Sequence, residues 1–128
     1  ALENPRIKVY AFETASAPCH YLERNIRINA LTNVKAYPIA LSDREGEIEF
    51  FEVDNPEGYH SKFNLAGTGT LKGEDLAAQK MISRKVPTIT LDSWIKTEQP
   101  ESVDLIKIDT EGTEHLILTG ADALLRRH

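Results

Sequence analysis

The stretch that most constrains the fold of this chain is an apolar run that ends in two carboxylates and a glycine. Residues 103–108 read VDLIKI, and Asp109, Glu111 and Gly112 follow at once, ahead of a helical pattern. Buried parallel strands present acids in this way at their carboxyl ends, where open α/β sheets bind their ligands. A second apolar run, residues 6–12, ends in the carboxylate of Glu13. Together the two runs predict a ligand site at one edge of a parallel sheet.

Strand and helix patterns alternate along the chain. The strand patterns cover residues 6–12, 34–40, 47–53, 85–90 and 103–108. The helix patterns run from a Ser16 cap to near Asn29, behind a Thr90 or Asp92 cap, and after Gly112 with an interruption at Gly120. Such alternation favours an α/β fold with a mostly parallel sheet and helices on both faces. A chain of 128 residues is long enough for one core and too short for two, so we predict a single domain over residues 1–128.

Composition and charge narrow the class of partner. The net charge of -5, without a basic run, argues against nucleic acid, which binds clustered Lys and Arg. No apolar stretch approaches the roughly 20 residues of a membrane span, and we expect neither a signal peptide nor a membrane partner. The single cysteine, Cys19, fits a reducing, cytoplasmic setting and lies in a helical pattern, which indicates a core residue.

The carboxylate of Glu13 has two interpretations. An ionised acid at the end of such a strand can accept hydrogen bonds from both hydroxyls of a ribose. The alternative is that Glu13 only caps the helix that follows.

Asp109 and Glu111 also have more than one interpretation. Two acids around a tight turn can orient a substrate, act as a general base or bind a cation. Helix capping, with Glu114 near the positive helix end, explains one or two of the acids. A metal site built from Asp109, Glu111 and His115 is a further hypothesis, although no second His-rich segment completes it.

Residues 54–75 are the least regular part of the chain. A loop of this length in a compact domain is usually functional or mobile, and here it is a candidate for shaping a substrate pocket. The glycines of Gly67-Thr68-Gly69-Thr70 lack the Lys-Ser/Thr ending of a phosphate-binding loop, so we interpret them as turn formers.

Six segments, in order, resemble the FkbM family of S-adenosylmethionine-dependent methyltransferases. They are VYAFE (residues 9–13), LERN (22–25), ALSD (40–43) followed by Gly46, VPTITLDSW (86–94), DLIKIDTEGTE (104–114) and LTGA (118–121). The resemblance covers nearly the whole chain and implies a Rossmann-like class I methyltransferase fold. It also implies S-adenosylmethionine as cofactor and the hydroxyl of a small molecule or glycan, such as a sugar or polyketide, as methyl acceptor.

The resemblance also implies roles for individual residues. Glu13 would hold the cofactor ribose, and Leu41 and Ser42 would lie beside the adenine, with Asp43 near its amino group. Asp109 and Glu111 would lie near the reacting methyl group or the acceptor, with Asp109 also contacting the cofactor.

The family's glycine-rich first strand and its last strands have no counterpart in this sequence, so the resemblance implies a partial domain. A non-catalytic α/β binding or assembly module derived from the same fold is the alternative hypothesis. Cofactor binding distinguishes the two.

Overall fold

A computed structural model of the chain describes residues 4, 6–53, 65–66, 81–110 and 112–127. The strands are β1 (Val9–Phe12), β2 (Val34–Tyr37), β3 (Ala40–Leu41), β4 (Gly46–Val53), β5 (Leu65–Ala66) and β6 (Met81–Ile89). The helices are α1 (Ser16–Ile28), α2 (Leu91–Glu98), α3 (Glu114–Thr119) and α4 (Asp122–Leu125). The predicted α/β composition is therefore confirmed.

The strands form two small sheets. β1 and β2 pair in parallel, with Val9 opposite Val34. The second sheet has the order β3-β6-β4-β5. In it β3 is parallel to β6, whereas β4 is antiparallel to both β6 and β5. The prediction of a mostly parallel sheet is thus right for the strands that lead to the candidate site and wrong for the β4–β6 hairpin.

The predicted strand over residues 34–40 is two strands in different sheets. β2 ends at Tyr37, directly before Pro38, and β3 begins at Ala40 in the second sheet. Proline has no backbone N–H to donate and fixes its own φ, so the ladder ends there and the chain changes direction.

The predicted strand over residues 103–108 is not observed. The segment has no assigned strand, and Leu105 is 87% exposed. A strand requires a hydrogen-bonding neighbour as well as an apolar pattern, and within the described ranges none pairs with this segment. The prediction of a buried strand ahead of Asp109 is therefore wrong for this structure.

Helix α1 follows its predicted range closely but begins differently. Ala15 is the residue before the first turn, and Ser16 is inside the helix, where its side chain binds another element. Cys19 is buried, and burial raises the pKa of its thiol, which keeps it protonated. The interpretation of Cys19 as a core residue is confirmed.

The main core forms around Trp94 of α2. The rings of Tyr10, Phe12 and Tyr37 lie 4.8, 5.3 and 5.7 Å from the Trp94 ring, all edge to face. Leu41 of the second sheet packs against the same cluster. Trp94 therefore contacts the sheet that ends at Glu13. The same cluster includes Leu41 of β3, the strand that precedes Ser42.

Two side chains cap the helices that pack into this core. Thr90 accepts a hydrogen bond from the Ser93 amide at 3.1 Å and caps α2. Asp92 instead accepts from the amides of Ala123 and Leu124, at 2.8 and 2.9 Å, at the start of α4. None of the helices in the described ranges is long and apolar enough to cross a membrane.

Candidate functional site

Glu13 lies at the carboxyl end of β1, as predicted, and belongs to a turn that leads into α1. Its amide donates to the Tyr37 carbonyl at 3.1 Å, which continues the parallel pairing by one residue. Its Oε1 accepts from the Ala15 amide at 2.8 Å. Within the described residues Oε2 has no hydrogen bond. Glu13 therefore does hold the start of α1, as the capping interpretation predicts. Its second carboxylate oxygen, Oε2, stays available to a ligand.

A partly buried ion pair supports the same turn, and the sequence does not predict it. Glu52 of β4 accepts from the Ser16 amide at 2.8 Å and from the Ser16 hydroxyl at 2.7 Å. It also accepts from Arg84 Nε at 3.0 Å, and a second guanidinium nitrogen of Arg84 donates to the Thr14 carbonyl. No local pattern reveals this pairing, since Glu52 and Arg84 are 32 residues apart.

Acid should lower the free energy of unfolding partly through protonation of Glu52. Burial alone raises the pKa of its carboxyl, but hydrogen bonds from Ser16 and Arg84 outweigh burial and hold the pKa below its ordinary value of 4.5. A lowered folded-state pKa stabilises the fold at higher pH, and that contribution is lost as pH falls through the folded pKa. We expect Glu52→Gln to lose less stability than wild type on acidification below pH 4.5.

Urea denaturation at neutral pH and at successive acidic values measures this difference. Exposed carboxylates with lowered pKa values, at Glu98, Glu114 and Asp122, are common to both proteins and cancel in the comparison. Equal acid sensitivity in wild type and variant would contradict the prediction.

The segment Leu41–Asp43 lies at the carboxyl end of β3. Leu41 packs into the core, and the Ser42 amide donates to the Ile89 carbonyl at 3.0 Å. Ser42 is buried, and its hydroxyl donates to Asp43 Oδ1 at 3.1 Å. The contact between Ser42 and Asp43 orients the carboxylate at the end of the strand.

Gly120 approaches this segment from the end of α3. A Cβ built on Gly120 would overlap the Ser42 carbonyl oxygen and lie 3.1 Å from the carbonyl carbon. The sequence marks Gly120 as a helix interruption, but its close approach to Ser42 is visible only in the structure. Gly120 is thus a packing residue of the candidate site.

Asp109 is exposed and is paired with a lysine from its own segment. Lys107 Nζ lies 2.9 Å from Asp109 Oδ2, and the two side chains are 80% and 73% exposed. This pairing accounts for the lysine that interrupts the apolar run. Glu111, the second predicted acid, lies outside the described residues.

Glu114 closes the turn around Asp109 from the first residue of α3. Its carboxylate accepts from the Thr110 amide at 3.0 Å and from the Gly112 amide at 3.0 Å. Hydrogen bonds from its own backbone amide and from the amides of Gly112 and Thr110 lower the pKa of the Glu114 carboxyl. The sequence suggests only that Glu114 is favourably placed at the positive helix end. In the structure its carboxylate accepts hydrogen bonds from the turn before the helix and stabilises that turn.

The predicted site residues form three separate groups. Glu13 lies with the first turn of α1, Ser42 and Asp43 lie against Gly120, and Asp109 lies with Lys107. In the described part of the chain no hydrogen bond or ion pair joins one group to another.

A metal site has no support among the described residues, which contain no group of three or more His, Cys, Asp or Glu side chains that could hold an ion. The hypothetical site includes Glu111, which is not among them. Asp109 instead contacts Lys107, a cation of the chain itself.

Both strand ends carry carboxylates that can accept hydrogen bonds. The open carboxylate oxygen of Glu13 suits a hydroxyl donor, and Asp43, held by Ser42, is an acceptor suited to an amino group. Apolar Leu41, which precedes Ser42 in the chain, packs against the aromatic core.

Comparisons with known proteins point in the same direction. The family described as "Methyltransferase FkbM domain" matches residues 1–128. The 2-O-methyltransferase NoeI of Sinorhizobium fredii is 26% identical over 130 residues, which are 96% of this chain and 51% of NoeI. The methyltransferase sdnD of Sordaria araneosa is 29% identical over 136 residues, which are 92% of this chain and 52% of sdnD. The chain spans about half the length of these curated relatives, and no solved structure matches it.

Proposed function

Because the chain belongs to the FkbM methyltransferase family, we propose that it takes part in transfer of a methyl group from S-adenosylmethionine to a hydroxyl. The acceptor we propose is a sugar, a polyketide or a related small molecule or glycan, in the cytoplasm, with neither nucleic acid nor membrane as partner. NoeI is named a 2-O-methyltransferase, which supports transfer to oxygen. The parallel pairs β1–β2 and β3–β6 support a Rossmann-like arrangement.

The observation that carries this proposal is the carboxylate of Glu13 at the end of a parallel strand, with one oxygen open to a ligand. In the proposed site Glu13 accepts from the ribose hydroxyls. Leu41, Ser42 and Asp43 bind the adenine end.

S-adenosylmethionine, when bound, supplies a methyl group on a positively charged sulfur. The chain's own contribution is positioning and proton handling, since an in-line displacement depends strongly on how the reactants are held. We propose that Asp109, or Glu111 two residues further along the chain, orients the acceptor hydroxyl or accepts its proton. The exposure of Asp109 leaves it accessible to an acceptor that comes from solvent.

Titration with S-adenosylhomocysteine tests the cofactor. We expect saturable binding by calorimetry once circular dichroism shows a folded protein. Glu13→Ala should weaken binding by roughly 1.5–3 kcal/mol, the scale of hydrogen bonds to a charged group. Glu13→Gln should weaken it less, because the amide oxygen still accepts from Ala15 or from a ribose hydroxyl.

Glu23→Ala is the matched control, since it removes an exposed glutamate from α1 without altering the Glu13 turn. Unchanged affinity in Glu13→Ala would remove Glu13 from the site. Absence of binding by folded wild type would contradict the proposed cofactor and favour a binding or assembly module without catalysis.

A further inference from the structure

The turn that carries Glu13 is held from outside by the antiparallel hairpin. In the β4–β6 pair Phe50 lies opposite Arg84, and Glu52 lies opposite Ile82. Glu52 and Arg84 are therefore diagonal neighbours on one face of the hairpin, close enough for long side chains to meet. Their ion pair connects this face to the turn between β1 and α1.

Three consecutive residues of the turn have a backbone group held by a charged side chain. The Thr14 carbonyl accepts from Arg84, the Ala15 amide donates to Glu13, and the Ser16 amide donates to Glu52. A network of this kind, with its groups mutually satisfied in a partly buried place, restricts the backbone more than separate contacts do. The position of the Glu13 carboxylate is thus linked to Glu52 and Arg84 through the backbone.

Glu52 also determines which group can bind a ligand at the carboxyl end of β1. The first turn of α1 has unpaired amides and a partial positive charge, which attract an anion. That place is taken by the carboxylate of Glu52, whose side chain is 11% exposed. A ligand at this strand end therefore meets the open oxygen of Glu13 and not the helix end.

Arg84 is itself held in place. Its guanidinium carbon lies 5.5 Å from the centre of the Phe50 ring, within the range of a cation–π contact. The planar fork of arginine lets one nitrogen contact Glu52 while another reaches the Thr14 carbonyl. Lysine lacks that fork.

We propose that Glu52 and Arg84 are positioning residues for cofactor binding, which hold the Thr14–Ser16 backbone so that Glu13 presents its open carboxylate oxygen to the ribose. This inference rests on the proposed function. It assigns to the hairpin a role that neither the sequence nor the family comparison provides.

A double-mutant cycle on affinity for S-adenosylhomocysteine tests the proposal. Glu52→Gln should raise the dissociation constant about tenfold in the wild-type background. In a Glu13→Ala background, which has no acceptor at this position, the same change should raise it only about twofold or less, because Glu52 acts through Glu13. Arg84→Lys, which keeps the charge but loses the fork, should behave like Glu52→Gln.

The matched control is Glu47→Gln on the same strand. Glu47 pairs with Lys85 across the same hairpin, at 3.9 Å, but its side chain is 63% exposed and does not contact the turn. The affinity of this variant should stay at the wild-type value.

Amide hydrogen exchange gives a second measurement that does not depend on a ligand. Glu52→Gln should speed exchange at Ala15 and Ser16 more than at Val86, in the buried centre of β6. An equal increase at all three amides would indicate general destabilisation alone and overturn the positioning role.

These measurements distinguish failure of the positioning role from failure of the proposed cofactor. If wild type binds and Glu13→Gln weakens binding while Glu52→Gln does not, positioning is overturned and the proposed cofactor stands. If Glu52→Gln weakens binding equally in both backgrounds, Glu52 does not act through Glu13, which also overturns positioning. If folded wild type does not bind, the proposed function falls and the positioning role falls with it.

Discussion

Replacing Gly120 with alanine should destabilise the protein by about 3 kcal/mol, at the upper end of the usual cost of overpacking. The φ of Gly120 is -72°, so the backbone itself tolerates any residue. The cost comes from space, because the new Cβ would overlap the Ser42 carbonyl oxygen and lie 3.3 Å from Thr90 Cβ. Both neighbours belong to the ordered ends of strands, and a backbone carbonyl cannot move aside as a flexible side chain can.

Urea denaturation of wild type and variant measures this loss through the shift in midpoint. The matched control is Gly112→Ala, because Gly112 has a φ of +119° and a Cβ added there would meet nothing within 4 Å. That change should cost about 1–2 kcal/mol from backbone conformation alone. A Gly120→Ala protein as stable as Gly112→Ala would show that the Ser42 contact relaxes easily.

Gly120→Ala should also affect the proposed cofactor site. The Gly120 carbonyl accepts from the Asp92 amide at 2.9 Å, so the turn cannot shift without disturbing the start of α2. The simpler adjustment is displacement of Ser42, which carries the hydrogen bond to Asp43. We therefore expect weaker S-adenosylhomocysteine binding in any Gly120→Ala protein that remains folded.

The parts of the fold that could be predicted from sequence are those determined locally. The helix over Ser16–Ile28 follows from the spacing of its apolar residues, and β4 follows from its alternation. The position of Glu13 at the end of β1 is predictable for the same reason, since a strand pattern and the acid after it are both local. The end of β2 also has a local cause in Pro38.

The features that could not be predicted depend on partners distant in sequence. Residues 103–108 have a strand pattern, but a pattern does not say which strand pairs with it. The sequence offers Asp92 as a cap for its own helix, whereas it caps α4, 31 residues away. The contact of Glu52 with Ser16 spans 36 residues, and neither residue is unusual where it stands.

Asp109→Asn should lower turnover about a hundredfold or more while changing stability little. Loss of a group that handles a proton typically costs that much in rate. Exposed ion pairs contribute about 0–1 kcal/mol, and both Asp109 and Lys107 are mostly exposed, so the fold does not depend on this contact. Because Asp109 contributes little to stability, a lower turnover in Asp109→Asn would reflect the loss of its carboxylate and not unfolding of the protein.

The measurement is release of S-adenosylhomocysteine with a panel of hydroxylated acceptors, beside calorimetric affinity for the same product. Asp104→Asn is the matched control, since Asp104 is an exposed acid of the same segment held by Ser102 at 2.8 Å. Lys107→Met distinguishes the ion pair from the carboxylate, and it should retain most of the turnover. Equal loss of turnover and affinity in Asp109→Asn would instead assign Asp109 to holding the site together, and the proton would then have to be accepted by another group.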